Sequence, residues 1–395
     1  MAFTAQLPLV HYADPWSIEF EERRAIILGG SPKIAYYYTR PDTSTFRYRC
    51  YNMVEALVHA EPSSSASWIT ADDGPKAIEL IEQLDILVVC RALYSQHIAA
   101  VLARAIALGK LVVFDVDDLI FDDRYAHLIM ETLDQTVDES GLQAWFGWIS
   151  RCGATLRLCD RAITTNALLA ERIHRFAHVP TRVIPNFLNR AQIELSDRVR
   201  RAKAASGWAR DGSLHLGYFS GTPTHNRDFA IVAPALARLF EEDPRIRLRV
   251  VGFPPTSTLL DPYSDRIETI PLQDFLNLQL SIGEVEINLV PLQDNEFTNC
   301  KSELKYFEAA VVGTVTVASP SYTLKQSISH GRNGFLAYAH EWDVSLREAV
   351  AEVDAGVGEM AERAAADALE RYSPESQATA LRHALLTHDV GRSRD

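Results

Sequence analysis

The chain has 395 residues, 47% of them hydrophobic and 23% charged, which is the composition of a globular protein rather than of a disordered or fibrous one. Its length is enough for about two or three domains. The 52 acidic and 39 basic side chains give a formal net charge of −13. This excess of acid argues against a nucleic-acid partner, because Lys and Arg supply the affinity for a phosphate backbone.

Cysteine usage and the apolar runs indicate the compartment. The five cysteines are scattered and lack CxxC spacing, so the sequence predicts neither a disulfide framework nor a zinc site. The most apolar run, over residues 98–114, is broken by Arg104 and Lys110, so we expect no membrane-spanning helix. Residues 1–16 have neither a basic start nor a long apolar centre and do not resemble a secretory signal. We therefore expect a cytoplasmic protein.

Short apolar runs alternate with helical patterns in the first half of the chain. The segments 33–39, 86–90 and 110–116 are rich in β-branched and aromatic residues, which favours strands, whereas 47–60 and 96–109 have helical spacing. Continuous apolar strands separated by helices are typical of a parallel sheet that is covered on both faces. The first half is predicted to be a doubly wound α/β domain.

A second α/β series follows residue 210, and a basic, turn-rich stretch separates the two series. The second series has predicted strands over 214–219, 247–253, 286–292 and 314–320 and predicted helices over 229–242 and 302–312. We predict an N-terminal domain over 1–188, a C-terminal domain over 189–371 with a linker over 189–210, and a helix within 372–395 that packs back toward the N-terminal domain. Two parallel sheets leave a ligand cleft between the carboxyl ends of their strands.

The segment 217–229 joins a strand to a helix through a loop suited to a phosphate group. Gly221 permits close approach of the backbone, Thr222 is one of several hydroxyl donors, and Arg227 adds a full positive charge near the helix N-terminus. Neither a Walker motif nor a dinucleotide fingerprint is present. The alternative interpretation is a polar loop that only caps its helix.

A second loop of this kind precedes the helix predicted over 302–312. Lys301 and Ser302 lie where a helix N-terminus attracts anions, although Ser302 also fits the role of an N-cap. Glu308 lies inside the helix beside apolar residues, where a carboxylate is costly without a partner, so it is a candidate for binding hydroxyls such as those of a ribose. Two anion-receptive helix starts in one domain indicate a diphosphate ligand.

The segment 114–118 places three carboxylates at the end of an apolar strand. Such a group can bind a divalent metal, accept protons or bind sugar hydroxyls. It also looks like the strand-DxD motif of haloacid-dehalogenase-type phosphatases, in which Asp115 would attack phosphorus and Asp117 would act as acid and base. Two βα units precede the strand here, however, whereas those enzymes usually carry it first. A solvated acidic loop is the structural alternative.

Basic residues occur in two further places. Arg47, Arg49 and Arg91 follow strands of the first series, so a parallel sheet would bring them to the edge that carries the acidic cluster, where they could bind an acceptor phosphate or carboxylate. Surface arginines that face acidic loops are the alternative. The linker is also basic, which predicts either a solvated helix or a peripheral contact with the inner face of an anionic membrane. Its basic residues are Arg198, Arg200, Arg201, Lys203 and Arg210.

Several of these motifs, taken in order, resemble the retaining glycosyltransferases of family 4. The resemblance covers roughly residues 110–345, and it looks most like the branch found in bacterial polysaccharide and O-antigen gene clusters. The motifs that carry it are 160–173, 181–187, 217–229, 286–292, 301–319 and 330–337. This resemblance implies the GT-B fold, in which two Rossmann-like domains enclose a ligand cleft.

The resemblance also implies how the ligands are divided between the domains. The C-terminal domain would bind a UDP-, GDP- or TDP-sugar without a required cofactor or metal, and the N-terminal domain would bind a saccharide, lipid-linked or small-molecule acceptor. The diphosphate would be held by the Gly221 loop with Thr222 and Arg227 and by Lys301 with Ser302, and the ribose would be held by Glu308. Asp115 or Asp117 would orient the acceptor or the sugar as a catalytic residue.

The sequence departs from the family pattern at three positions. Cys300 stands where the family usually has the first of two glutamates, Thr222 where it has an arginine, and Asp115 where members often carry a histidine. We therefore expect a retaining glycosyltransferase and keep two alternatives: a metal-dependent phosphatase centred on Asp115 and a non-catalytic nucleotide-binding module. The sequence does not indicate which oligomeric state the protein has.

Overall fold

The computed structural model describes residues 7–132, 137–221, 226–253 and 257–387. The first half forms a six-stranded parallel sheet in the order β2-β1-β3-β4-β5-β6. Its strands are β1 (Lys33–Tyr38), β2 (Ser65–Thr70), β3 (Ile86–Cys90), β4 (Leu111–Val116), β5 (Arg161–Thr164) and β6 (Thr181–Val183). Its helices are α1 (Phe20–Leu28), α2 (Asn52–Ala60), α3 (Gly74–Leu80), α4 (Gln96–Ala107), α5 (Ala126–Glu131), α6 (Glu139–Arg157) and α7 (Ala167–Ala177).

The second half forms another six-stranded parallel sheet, in the order β12-β11-β10-β7-β8-β9. Its strands are β7 (Leu214–Ser220), β8 (Ile246–Gly252), β9 (Ile267–Ile270), β10 (Ile287–Val290), β11 (Val315–Ala318) and β12 (Phe335–Leu336). The remaining helices are α8 (Arg190–Ala205), α9 (Asn226–Glu242), α10 (Phe275–Gly283), α11 (Glu296–Asn299), α12 (Leu304–Val311), α13 (Tyr322–Ser327), α14 (Trp342–Gly356), α15 (Gly358–Tyr372) and α16 (Pro374–Leu386).

The central strands are apolar because both faces of each sheet are covered. Every residue of β3 and β10 is buried, as expected for parallel strands with helices on both sides. The strand order of the second sheet is that of a Rossmann fold, in which the order of the parallel strands along the sheet reverses between β7 and β10. The predicted fold class, two Rossmann-like α/β halves, is confirmed.

One element differs from the sequence-based prediction, and the linker takes the helical form that the sequence allowed. The helix predicted over 47–60 begins with a π-helical turn, Arg47–Tyr51, and becomes regular only in α2. The stretch predicted as a linker is mostly the 16-residue helix α8, which starts with a capping box between Asn189 and Gln192.

Helix α8 is fixed to the second sheet by a buried lysine. The Lys203 ammonium donates hydrogen bonds to the carbonyl oxygens of Val312 and Gly313, each at 2.9 Å, and to Thr314 Oγ1 at 3.3 Å. Other basic side chains of this stretch pair with acidic residues of the chain; these pairs are Arg200 with Asp197 and Glu362, Arg201 with Asp197, and Arg210 with Asp354. The solvated or paired helix is therefore favoured over a membrane-facing basic patch.

The two ends of the chain connect the halves. Helix α16 packs against α2 of the first half, and the Arg382 guanidinium pairs with Glu61 at 3.0 Å. Near the start, Val10 and the side chain of Asn277 exchange two hydrogen bonds of 2.9 and 3.1 Å across the domains. Across the described ranges, no helix combines the length and apolar character required to cross a membrane.

Candidate functional site

The carboxyl ends of the two sheets face each other, and polar contacts join them. Asn166, after β5, donates its side-chain amide to the carbonyl oxygen of Cys300 at 2.8 Å. Lys301 Nζ lies 3.7 Å from Asp118 Oδ1. These contacts bring the strand ends of the two sheets together, and the cleft between such strand ends is where open α/β folds bind ligands.

Asp115 is the last residue of β4 that pairs with β3, and it forms a buried ion pair with Arg49. Arg49 donates to both carboxylate oxygens, at 2.7 and 3.0 Å, and neither residue is exposed to solvent. The remaining Arg49 nitrogen donates to the carbonyl oxygen of Ile184 at 2.8 Å and to Asn186 Oδ1 at 3.2 Å. Burial raises the pKa of Asp115 to about 6, against the opposing effect of Arg49. Arg49 therefore connects β4 to residues 184–186, where the chain passes from the first half to the second.

This geometry does not fit the phosphatase alternative. A nucleophilic Asp115 would need a carboxylate oxygen that phosphorus can reach, but both oxygens accept hydrogen bonds from Arg49 and the side chain is fully buried. No group of three or more His, Cys, Asp or Glu side chains among the described residues has the geometry of a metal site.

Arg91 organises the acidic loop that follows β4. Its backbone has a left-handed conformation, with φ of 47°, which is uncommon for a residue other than glycine and often marks a functional position. Its guanidinium donates to Thr45 Oγ1 at 2.7 Å and to Asp118 Oδ2 at 2.5 Å. Arg91 Nε also lies 3.0 Å from Asp117 Oδ1 as an ion pair, without the alignment of a hydrogen bond. Burial raises the pKa of Asp117, and Arg91 opposes that shift.

Glu308 of α12 is bound by two groups from the other half of the chain. The Arg47 guanidinium donates to Glu308 Oε1 at 3.2 Å, and the Tyr48 hydroxyl donates to the same oxygen. Arg47 also lies over the rings of Tyr48 and Phe275, at 4.0 and 5.1 Å from the centroids. The Nη1 atom of Arg47 is buried and has no hydrogen-bond partner among the described residues.

The π-helical turn explains how neighbouring arginines reach opposite targets. The wider turn directs Arg47 and Tyr48 toward α12, whereas Arg49 points under the sheet edge to Asp115. Single π-helical turns occur frequently at functional sites. The sequence predicted that the three arginines would lie at the acidic edge. The side chains of Arg49 and Arg91 contact the acidic cluster there, whereas that of Arg47 turns toward Glu308.

The two predicted phosphate loops lie next to each other because β7 and β10 are adjacent strands. Gly221 follows β7, Arg227 is exposed in the first turn of α9, and Asp228 accepts a hydrogen bond of 3.0 Å from the backbone of Gln293 in the loop after β10. Thr222 lies outside the described residues. The structure thus places Gly221, Arg227 and Lys301 at one edge of the second sheet.

The close approach of backbone at this edge occurs at Gly252 rather than Gly221. A Cβ on Gly221 would meet no atom within 4 Å, whereas a Cβ on Gly252 would lie 2.0 Å from the carbonyl oxygen of Ser220, and Gly252 has a φ of 94°. The N-cap role predicted for Ser302 was wrong, because α12 begins at Leu304 with Glu303 as its N-cap and no side-chain cap bond.

Sequence reasoning missed Tyr48 and Lys305 as residues of the cleft. Tyr48 stands between two arginines, and nothing in its sequence context shows which way it points. Lys305 had a usable signal, since it lies three residues before Glu308 on the same helix and so shares a face with it. The roles predicted for Asp115, Asp117 and the binding residues stay predictions.

Of three comparisons with known proteins, the one with solved structures found similar proteins. A scan against models of known protein families and a search of curated proteins found no match. Among solved structures, HepE from Anabaena, crystallised with UDP, has a TM-score of 0.55 at 13% identity over 89% of this chain and 98% of that one. HepE has also been crystallised with UDP-glucose.

Two other solved structures have similar scores. Sucrose-phosphate synthase from Thermosynechococcus elongatus has a TM-score of 0.58 at 16% identity, over 89% of this chain and 97% of that one. A glycosyltransferase from Rickettsia africae has a TM-score of 0.57 at 9% identity, over 89% and 96%. With its two parallel six-stranded sheets and the cleft between them, the chain has the GT-B fold.

Proposed function

We propose that the protein is a glycosyltransferase that moves a sugar from a nucleotide diphosphate-sugar to a saccharide, lipid-linked or small-molecule acceptor, with retention of anomeric configuration. The observation that carries the proposal is the convergence of the two sheet edges. Glu308 and Lys301 of the second half face Arg47 and Asp118 of the first across one cleft. HepE, of the same fold, binds UDP and UDP-glucose, which supports a nucleotide-sugar donor.

The domains divide the work in this proposal. Residues 189–371 bind the donor and residues 1–188 bind the acceptor. The helix within 372–395 packs back on the N-terminal domain. The donor diphosphate is held by Gly221, Thr222, Arg227, Lys301 and Ser302, and Glu308 holds the ribose. Arg91 and Arg47 lie on the acceptor side. Asp117 keeps some contact with solvent, unlike Asp115, and can orient a sugar hydroxyl.

Catalysis in this scheme is mainly electrostatic. As the glycosidic bond to the nucleotide breaks, negative charge develops on the diphosphate, and Lys301, Arg227 and the amides at the start of α9 stabilise it. Closure of the two domains excludes water and so limits hydrolysis of the donor. Asp115 and Arg49, both buried, act on the reaction by holding the acidic loop and the domain crossover in place.

The first test is a thermal-melting screen with UDP, GDP, dTDP and ADP at millimolar concentration, in which one nucleotide should raise the melting temperature. Arg227→Ala should lose that shift, and Arg198→Ala, a matched change in the basic stretch of α8, should keep it. Mass spectrometry after incubation with a panel of donors and acceptors should then give a glycosylated product, and NMR of its anomeric proton tests retention. No shift with any nucleotide would count against the proposal.

A non-catalytic nucleotide-binding module is the second candidate, and a specific observation favours keeping it. Cys300 stands at the position of the family's first glutamate, it is fully buried, and its carbonyl oxygen is held by Asn166. That position therefore offers no carboxylate to a donor sugar. A nucleotide that raises the melting temperature without transfer or hydrolysis of any donor sugar would select this candidate.

A further inference from the structure

Lys305, on α12, is a partly buried lysine that has no counterion within the described ranges. Its ammonium lies 5.4 Å from the centroid of the Tyr218 ring on β7, and it makes no ion pair or hydrogen bond with a described residue. The charged groups that act on it are Asp228 at the start of α9, Lys301 before α12, and Glu308 one turn along its own helix. These groups lie in the segments that follow β7 and β10, at the edge of the second sheet to which we assign the donor nucleotide.

The two carboxylates near Lys305 are already engaged elsewhere. Asp228 accepts hydrogen bonds from the backbone and side chain of Gln293, at 3.0 and 3.3 Å, and Glu308 is bound by the first half of the chain. Lys301 has the same charge as Lys305 and repels it. A partly desolvated ammonium without a counterion is costly, so this position is built to receive an anion.

We propose that Lys305 binds the diphosphate of the donor nucleotide and that the complex takes up a proton from solvent at Lys305 Nζ. The inference rests on the proposed function and adds a residue and a proton-linked step to it. No bond of the nucleotide breaks, since the only transfer is that of one proton from solvent to the neutral amine fraction.

The sign of the effect follows from the electrostatics. Burial lowers the pKa of Lys305 to about 8, and the carboxylates of Asp228 and Glu308 only partly oppose this shift. About half of the ligand-free protein therefore has a neutral Lys305 at pH 8. A bound diphosphate favours the charged form, so binding raises the pKa, draws in a proton and weakens as the pH rises through about 8.

The test is calorimetric titration of the full chain with UDP at pH 8, in HEPES and in Tris, whose different heats of ionisation report the protons exchanged. Wild type should take up about half a proton with UDP and none with uridine, which lacks phosphate. Lys305→Met should lose at least about tenfold in UDP affinity together with the uptake. Lys305→Arg should bind within about threefold of wild type without uptake, because a guanidinium stays charged. Lys325→Met, an exposed lysine on α13, should change neither.

The outcomes separate this inference from the function on which it rests. UDP binding without proton uptake, kept in Lys305→Met, overturns the inference and leaves the glycosyltransferase proposal standing. If no nucleotide binds, that proposal fails, and inorganic pyrophosphate then tests Lys305 alone: binding that Lys305→Met abolishes supports a diphosphate site, and no binding overturns it. Should Lys305→Met fail to fold, Lys305→Arg decides the matter, since loss of uptake in that variant supports the inference and retained uptake overturns it.

Discussion

Tyr48 of the first domain and Glu308 of the second share a hydrogen bond across 260 residues of sequence, and Arg47 donates to the same carboxylate oxygen. Two donors on one oxygen resemble the two neighbouring hydroxyls that a ribose presents. The first domain therefore occupies one oxygen of the group that we assign to the donor ribose, and a ribose hydroxyl that binds this oxygen competes with Tyr48 and Arg47.

Removal of the Tyr48 hydroxyl should strengthen nucleotide binding. Tyr48→Phe keeps the ring that packs on Phe307 but frees one acceptor position of Glu308. A hydrogen bond to a charged group is worth about 1.5–3 kcal/mol, so UDP should bind at least about tenfold more tightly. Calorimetric titration with UDP measures the change. Tyr51→Phe, in the same π-helical turn, is the control and should bind as wild type does. Weaker binding by Tyr48→Phe would contradict the competition.

Glu308→Gln should remove the discrimination between ribose and a ribose without hydroxyls. Wild type should bind UDP at least about tenfold more tightly than 2′,3′-dideoxy-UDP, because a charged acceptor binds hydroxyls with about 1.5–3 kcal/mol. Glu308→Gln should bind the two ligands almost equally. Since this ratio compares two ligands on one protein, a general loss of stability leaves it unchanged. A ratio that stays at the wild-type value would place the ribose elsewhere.

Breaking the Arg49–Asp115 pair should destabilise the protein strongly. Arg49→Met leaves an uncompensated carboxylate in a site without solvent, and the loss of one partner of a buried pair costs about 3–5 kcal/mol of unfolding free energy. Urea denaturation followed by tryptophan fluorescence measures this cost. The double variant Arg49→Met with Asp115→Leu should recover most of the stability, because no charge is left buried. A loss below about 1 kcal/mol in the single variant would show that the pair does not stabilise the fold.

Lys203 should make stability rise with pH. Burial lowers its pKa from 10.5 to about 7, with Glu286 opposing, so between these values the unfolded chain binds a proton that the folded chain has released. The unfolding free energy of wild type relative to Lys203→Met should therefore increase as the pH rises from about 7 toward 10.5. Denaturation of both proteins at pH 7, 8 and 9 tests this, with Lys325→Met as the exposed control. A constant difference across that range would be inconsistent with a titrating Lys203.

The sequence predicted the fold because its main strands are apolar runs, such as 86–90, which the structure reproduces residue for residue. It did not reveal β2, whose SASWIT segment looks like a turn. The strand is nonetheless buried throughout. The Ser65 hydroxyl donates to the carbonyl oxygen of Ile27, whereas the buried Ser67 hydroxyl has no hydrogen-bond partner among the described residues. Period and hydrophobicity alone do not identify such a strand.

The site was predictable as a set of residues at one edge, but the pairing between them was not. Parallel strand ends had to meet, so Arg49, Arg91 and the acidic cluster were expected together. Which arginine binds Asp115 depends on the π-helical turn, and no sequence pattern gave the rotation of that turn. The Glu308 contacts depend on how the two domains close, which is set by packing between distant segments.

The return of α16 to the first domain means that the sequence boundary between the halves is not a boundary between independent folding units. Leu381, Ala384 and Leu385 belong to the same core as Met53 and Leu57 of α2. A fragment that ends at residue 188 would expose that apolar face to water and would be prone to self-association. A separate peptide covering residues 372–387 should cover that apolar face again. The first domain can therefore be assembled from two pieces, residues 1–188 and the C-terminal helix, which are not contiguous in the sequence.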